Sequence, residues 1–325
     1  MSDPKVVFLF GLPRSGTKLT RDLLNRHPNI AIFPHESHFI PYFARIFESF
    51  GNVSRKANFL GFYGEFERTT FARRMQARGI EFDASRWYDT LQGSTYRDVL
   101  RAMFRLYSHM TGCRIVGDKT PGYVSQLALL ATLFPDARYI HIVRDPRDYA
   151  CSIREAWGKS VPRAAQRWKQ QIRKYRQDSA GLSVATTELS YESLLAEPSQ
   201  ALDRLCRFLG VDFRAGMLVL DEPAEDLAAT RHARTIVGGN TGRWRAGLSD
   251  REVAVIERIC GGLMLELGYQ PVHAAGDEDL SSAAMAWQKL ADGVNLLQFR
   301  LRHEGGLLKA LAETRRANRY RDVEE

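Results

Sequence analysis

A chain of 325 residues with 44% hydrophobic and 26% charged side chains has the composition of an ordinary globular protein, long enough for one large domain with extensions or for two modest ones. Its net charge of +8 leaves three partner classes open (nucleic acid, an acidic membrane surface, a small polyanion), while the lack of any run of about 18 apolar residues excludes a membrane span. Cys113, Cys151, Cys206 and Cys260 form no CxxC pair and no disulfide framework, and the N-terminus has no signal-peptide form, so a cytoplasmic protein with free thiols is expected.

Residues 6–10 (VVFLF) are a continuous apolar run of the length of a buried parallel strand. Gly11 ends it, Leu12-Pro13-Arg14-Ser15-Gly16-Thr17 follows, and Leu19, Leu23 and Leu24 recur at helical spacing. Strand, Gly-bounded loop and helix make a phosphate-binding loop, in which backbone N–H groups and the helix dipole converge on an anion. A nucleotide-hydrolysing loop needs Gly-Lys-Ser/Thr at its end. Gly11 and Gly16 have that separation, but Thr17 stands in the lysine position and Lys18 comes one residue late. With Arg14 and Ser15 inside it, the loop reads as a phosphate holder that works without Mg²⁺ and without a γ-phosphate.

Residues 29–34 read as the neighbouring parallel strand, and Pro41 as the start of the next helix. His35-Glu36-Ser37-His38 then lies in a strand-to-helix loop, opening at the same sheet edge as the phosphate loop. It is not HExxH, and no metal-ligand cluster accompanies it. Residues 51–94 mix Gly, Arg and aromatics without a sustained period and read as an insertion of short helices near the substrate side. Basic residues with interleaved aromatics also suit nucleic acid, but no nucleic-acid module is recognisable.

A helix is expected over 96–111, a strand over 113–117, a Gly117-Asp118-Lys119-Thr120-Pro121 loop with its lysine at the centre, and a helix over 124–134. A strand over 138–143 runs into Arg144-Asp145-Pro146-Arg147-Asp148, where Asp145 is a good N-cap and Pro146 a good first helical residue. Further helices are expected over 161–177, 198–209 and from Ser249, with a strand over 182–189 leading into Ser190-Tyr191-Glu192. Residues 220–233 read as irregular. Gly238-Gly239-Asn240-Thr241-Gly242-Arg243-Trp244-Arg245 is a segment able to close over a ligand. Residues 273–278 are a linker candidate, followed by helices over 282–303 and 307–321 that could pack on the body, pair with another subunit or bind an acidic surface. The order predicts a doubly wound parallel α/β sheet with helices on both faces: one domain over 1–272, with a helical insertion at about 51–112, and a C-terminal helical extension over 273–325.

The strings GLPRSGT, GDKTP and LFPDARYIHIVRDPRDYACSIR, the segment from Tyr191 to Leu195 and Gly242-Arg243-Trp244-Arg245 together resemble the sulfotransferases that use 3′-phosphoadenosine-5′-phosphosulfate (PAPS). The resemblance covers about residues 5–269, and the Pro34-to-His38 loop looks closest to the tyrosylprotein sulfotransferase branch and its bacterial relatives. It implies transfer of a sulfuryl group from PAPS to a hydroxyl acceptor, releasing PAP and needing no metal. By resemblance, Arg14, Ser15, Gly16, Thr17 and Lys18 cradle the 5′-phosphate, with Arg14 also at the reacting group. Lys119 stands near the bridging oxygen, and Arg144 and Ser152 hold the 3′-phosphate. Tyr191 lines the adenosine site, and Thr241 and Arg243 belong to the closing segment. Glu36 matches the catalytic base, with His35 and His38 as rivals; His38 stands where that branch has an arginine. A basic residue of some relatives, four positions after the serine, is Ala156 here, and Arg154 is a candidate substitute.

The acceptor is left open among a metabolite, a sugar and a peptide tyrosine, with residues 58–88 as the place to seek its contacts. No nucleic-acid partner is expected, and a homo-oligomer is possible. Two other functions compete: a P-loop-type small-molecule kinase, and a non-catalytic nucleotide-binding protein.

Overall fold

The computed structural model describes residues 3–220, 236 and 239–303. Five parallel strands form one sheet in the order β2-β3-β1-β4-β5: β1 Lys5–Gly11, β2 Ile30–Ile32, β3 Ile115–Lys119, β4 Arg138–Val143 and β5 Ala185–Ser190. Helices cover both faces, as the doubly wound reading expects. The alternation along β1 explains the two layers. Val6, Phe8 and Phe10 point into one core and Val7 and Leu9 into the other.

The second core is aliphatic and is closed by α1 (Thr17–Leu24) and, late in the chain, by two helices after β5. The first is aromatic. It is built by α2 (Phe39–Ile46), α3 (Lys56–Glu67), α4 (Thr70–Gln76), α5 (Ala84–Asp89), α6 (Tyr96–Thr111) and α7 (Leu127–Leu133). Within residues 58–88, the segment named as the place to seek acceptor contacts, Phe59, Phe62, Phe66, Phe71, Phe82 and Trp87 are its buried filling. Phe66 meets Trp87 at 4.8 Å between ring centroids, and Phe71 packs on Phe33 at 5.2 Å.

Local signals set most boundaries. α6 starts on a Thr95/Asp98 capping box and ends at Gly112 in the left-handed region. α8 (Pro146–Trp157) is capped by Asp145, whose carboxylate accepts from the Arg147 amide. α9 (Val161–Ala180), α10 (Tyr191–Ala196), α11 (Pro198–Leu209), a four-residue turn α12 (Trp244–Gly247), α13 (Asp250–Glu266) and α14 (Ser282–His303) complete the described chain.

Three details differ from the expectations. β3 runs two residues further than read, because Asp118 and Lys119 pair in register with Phe8 and Leu9; Lys119 is a buried strand residue and not the centre of a loop. The 124–134 helix resolves into a 3-10 turn, Pro121–Ser125, and α7. The stretch read as a linker, 273–278, is strapped to the body: Lys169 donates to the carbonyls of Asp277 (3.1 Å) and Glu278 (2.9 Å), and the Gly276 amide donates to the Glu257 carbonyl (3.0 Å). α14 is tied to α9 by Asp292, which accepts from the Ser160 amide and pairs with Arg163, both at 2.7 Å. The segment 307–321 and all but Leu220 of 220–233 lie outside the described residues.

Candidate active site

All five strands run the same way, so the loops after β1, β2, β3 and β4 open at one edge, where the chain order reverses across β1. The loop after β1 turns tightly: the Ser15 amide donates to Leu12 O at 3.2 Å, and Gly16 (φ 86°) begins α1. A Cβ on Gly16 would lie 2.2 Å from the Tyr191 ring, so only glycine fits between loop and ring. Ser15 and Thr17 are buried at the N-terminal end of α1, and Lys18 is half-buried one residue on. Backbone amides and a helix N-terminus thus face the edge, an arrangement suited to phosphate.

Arg14 has φ 69° and His38 has φ 52°; among the described residues they are the non-glycine residues with positive φ, one in each loop. Such conformations cost energy and persist where neighbours over-determine them. At Arg14 the neighbours are visible. Its carbonyl accepts from Arg144 Nη1 at 2.8 Å, and its Nε donates to Ser152 Oγ at 3.3 Å. Its side chain therefore reaches across to α8 and does not lie along its own loop. Arg144 also donates to the Asn240 carbonyl (3.0 Å) and lies over the Tyr191 ring at 4.6 Å, while Asn240 Nδ2 donates to the Tyr191 hydroxyl at 2.7 Å. Trp168 Nε1 holds the Arg144 carbonyl at 2.8 Å. Arg144 is only 4% exposed, and its Nε is buried with no hydrogen-bond partner. A buried donor left over beside a second arginine and a serine is what an anion site requires.

Asp148 accepts from the Gly242 amide at 2.6 Å and from the Trp244 amide at 2.9 Å, clasping the Gly-rich segment to α8. Its oxygens are therefore given to backbone amides. Arg243, between the two clasped amides, pairs with Glu155 at 2.9 Å, and Thr241 is half-buried just before the first of them. Arg154, the suggested substitute at Ala156, binds Glu252 (2.7 Å) and the Gly247 carbonyl instead; it fastens α12 and α13 to α8.

The other half of the site is Glu36. Lys119 Nζ donates to Glu36 Oε1 at 2.5 Å, and His38 Nε2 lies 2.8 Å from Glu36 Oε2. Burial pushes the Glu36 carboxyl up, but the His38 hydrogen bond and the Lys119 charge outweigh it and hold the group well below the usual carboxylate range. Burial lowers Lys119, and Glu36 offsets this only in part. His35 is lowered by burial and then by the charges of Arg78, Arg74, Arg21 and Lys119, so it sits in a positive surrounding and favours its neutral form. Among the described residues no group of three or more His, Cys, Asp or Glu side chains is placed to hold a metal ion.

Sequence reasoning missed Asn240, the Asp148 clasp and the buried hydroxyls around Asp118. Asn240 lay inside a segment already marked as Gly-rich. The partners of Asp118 and Asp148 are 81 and 94 residues away in the chain, and no local pattern announces them.

Residues 4–215, more than half of the chain, match the profile of the Sulfotransferase family. The chain belongs to the sulfotransferase family. Nodulation protein NoeE of Sinorhizobium fredii is 25% identical to this sulfotransferase over 298 residues, covering 82% of the chain and 66% of the relative. Protein-tyrosine sulfotransferase 1 of Danio rerio is 22% identical over 230 residues, covering 68% of the chain and 57% of the relative. The chain thus spans less than two thirds of the length of each. The sulfotransferase domain from the curacin biosynthetic pathway superposes with a TM-score of 0.54 at 20% identity, over 82% of this chain and 98% of that one, and supports the fold. Among the described residues no helix is long and apolar enough to cross a membrane.

Proposed function

We propose that this sulfotransferase moves a sulfuryl group from PAPS to a hydroxyl acceptor, with Glu36 as general base and Lys119 as the cation at the leaving phosphate oxygen. The observation that carries the reading is the 2.5 Å contact of Lys119 with Glu36 at the sheet edge. Base and cation stand side by side, next to a loop whose geometry suits phosphate. The orphaned Arg144 donor and the Arg14–Ser152 contact fit a second anion, which favours a donor carrying a 3′-phosphate.

PAPS supplies an activated sulfuryl group on a phosphate oxygen. Transfer forms the acceptor O–S bond as the phosphate O–S bond breaks, and the acceptor proton goes to Glu36. Ser15, Gly16, Thr17 and Lys18 are assigned to the 5′-phosphate, and Arg144 and Ser152 to the 3′-phosphate, with Arg14 linking the two. Tyr191 is assigned to the adenosine, and Thr241 and Arg243 to the segment that covers it. A carboxylate pinned by Lys119 and His38 is a weak base. Drawing Lys119 towards the bridging oxygen strengthens it, so the base is fully active only beside a bound donor. The positive surrounding of His35, with Arg74 and Arg78 from α4 and the turn after it, suits an acceptor with negative charge near its hydroxyl. The printed name of the Danio rerio relative makes a protein tyrosine one candidate.

The experiment follows ³⁵S transfer from labelled PAPS to tyrosyl peptides, sugars and phenols. Glu36→Gln is expected to lower turnover by about 10²–10⁴, the range of general-base catalysis, and Lys119→Met by about 10²–10³, with PAP still bound by both. Wild-type turnover in Glu36→Gln would exclude Glu36 as the base.

A further inference from the structure

The loops after β4 and β5 carry Arg144 and Tyr191, and one half-buried carboxylate spans the gap between them. Glu192 Oε1 accepts from the Asp145 amide at 2.9 Å. Its Oε2 accepts from the Ser190 hydroxyl and, 77 residues along the chain, from the Tyr269 hydroxyl, both at 2.9 Å. The Asp145 amide and the Arg144 carbonyl belong to one peptide group. Trp168 Nε1 on α9 donates to that carbonyl at 2.8 Å, so side chains from two different helices hold the group at both ends. Asp145 is buried and caps α8, so its amide has no partner within that helix and depends on Glu192. At the far end of Arg144, both Nη groups are spent on the carbonyls of Arg14 and Asn240, and Nε is the donor left over. Where that donor stands follows from how its own peptide is held.

We infer that Glu192 is a positioning residue of the donor site: by tying the Arg144–Asp145 peptide to the first turn of α10, it sets the Arg144 guanidinium against the Tyr191 ring and so enforces the demand for a 3′-phosphate beside the adenosine. The inference rests on the reading that Arg144 takes that phosphate. A buried arginine with an unpartnered Nε gains by turning towards any acceptor within reach. A peptide group free to rotate between Arg144 and Asp145 would allow that turn. Held from both sides, it does not, and the donor meets a site whose ordering cost is already met. Tyr191 has ties of its own: Asn240 Nδ2 donates to its hydroxyl at 2.7 Å, and its ring lies against Gly16. Loss of the Glu192 carboxylate therefore displaces Arg144 and spares the seat of the adenosine. Glu36 and Lys119 stand on the other side of β1, after β2 and at the end of β3, outside this frame.

The test uses the full chain and compares PAP with adenosine 5′-phosphate by calorimetry, with thermal midpoints read on the same samples. Glu192→Ala is expected to weaken PAP by about tenfold or more and adenosine 5′-phosphate by less than about threefold, so that the preference for the 3′-phosphate is lost. Glu192→Gln keeps an acceptor oxygen for the Asp145 amide and is expected to restore the preference to within about threefold of wild type. Glu192→Asp, one methylene shorter, is expected to lose it and serves if Glu192→Ala does not fold. A carboxylate that only supports the fold would weaken both ligands alike or lower the midpoint alone, and either result overturns the inference. So does a Glu192→Gln that binds PAP no better than Glu192→Ala. Wild type that binds PAP no more tightly than adenosine 5′-phosphate removes the donor reading itself, whereas a preference lost in Arg144→Ala and kept in Glu192→Ala overturns this inference alone.

Discussion

Glu36 meets Lys119 through one carboxylate oxygen and His38 through the other, while Asp118, one residue before Lys119, takes its hydrogen bonds from the Ser37 and Thr120 hydroxyls. The two acids are shifted in opposite directions, and the consequences for stability are opposite too. Glu36 is depressed, so it stabilises the fold above its ordinary value of 4.5 and loses that contribution only as the pH falls below it. Asp118 is raised, so its contribution is fullest below its ordinary 3.8 and is lost as the pH rises through about 6. Between about pH 4.5 and 6, acidification therefore strengthens the fold at Asp118 and leaves Glu36's contribution in place. The expected outcome is a thermal midpoint that does not fall on acidification through that window on account of either acid. A midpoint that falls across it and keeps its fall in Arg and Lys variants away from the site would contradict this. At this scale the sequence displayed the loop residues: Arg14, Arg144, Ser152 and Tyr191 converge as their positions after strands suggest. The hydroxyl network was illegible because Ser37 and Asp118 are 81 residues apart and only the folded sheet edge joins them.

Elements bounded by caps and prolines were legible almost to the residue. Helix α11 begins at Pro198 and ends at Gly210, and α6 carries both a capping box and a C-terminal glycine. Strand β3 was misjudged at its end because Asp118 and Lys119 have no strand propensity of their own and are drawn in by pairing with β1. Helix α3, which falls in the insertion read as short helices, went unbounded for a different reason. Phe59, Phe62 and Phe66 are spaced as a helix requires, but Gly61 and Gly64 interrupt the run, and the aromatic layer supplies the stability that local propensity lacks. The Asp148 clasp is a device of the same scale. Asp148→Ala removes the acceptor of two amides, and loss of charged hydrogen bonds of roughly 1.5–3 kcal/mol each is enough to free the Gly242-to-Trp244 turn. Weakened PAP affinity, by tenfold or more in calorimetry at unchanged secondary structure, is the expected result; wild-type affinity would show that the segment does not cover the donor.

Across the whole molecule the excess of positive charge is put to several uses. Arg147 is buried between Asp145 (2.7 Å) and Glu257 (2.8 Å), lies 4.2 Å from the Trp244 ring and donates to the Gln270 carbonyl at 3.0 Å. Glu257 in turn accepts from the Val272 and His273 amides at 3.0 and 2.7 Å. Two ion pairs sharing Arg147 thus join the loop after β4, the Gly-rich segment and the stretch from Gln270 to His273. Breaking a buried pair costs about 3–5 kcal/mol, so Glu257→Ala should lower the urea midpoint substantially with an unchanged slope. A change of less than about 0.5 kcal/mol would contradict that role. The parallel order of the sheet was legible because each apolar strand is followed by a loop and helix. The strap was not, since its composition is that of a linker and its partners lie on α9 and α13.

PAPS as donor requires a site that recognises two separated anionic groups, and calorimetry with PAP, adenosine 5′-phosphate and ATP on wild type and Arg144→Ala tests that requirement most directly. PAP is predicted to bind without Mg²⁺, at least tenfold more tightly than adenosine 5′-phosphate, and Arg144→Ala is predicted to abolish that preference. Equal affinity for PAP and adenosine 5′-phosphate, or binding only of ATP with Mg²⁺, would contradict PAPS as the donor and favour a phosphoryl-transferring enzyme.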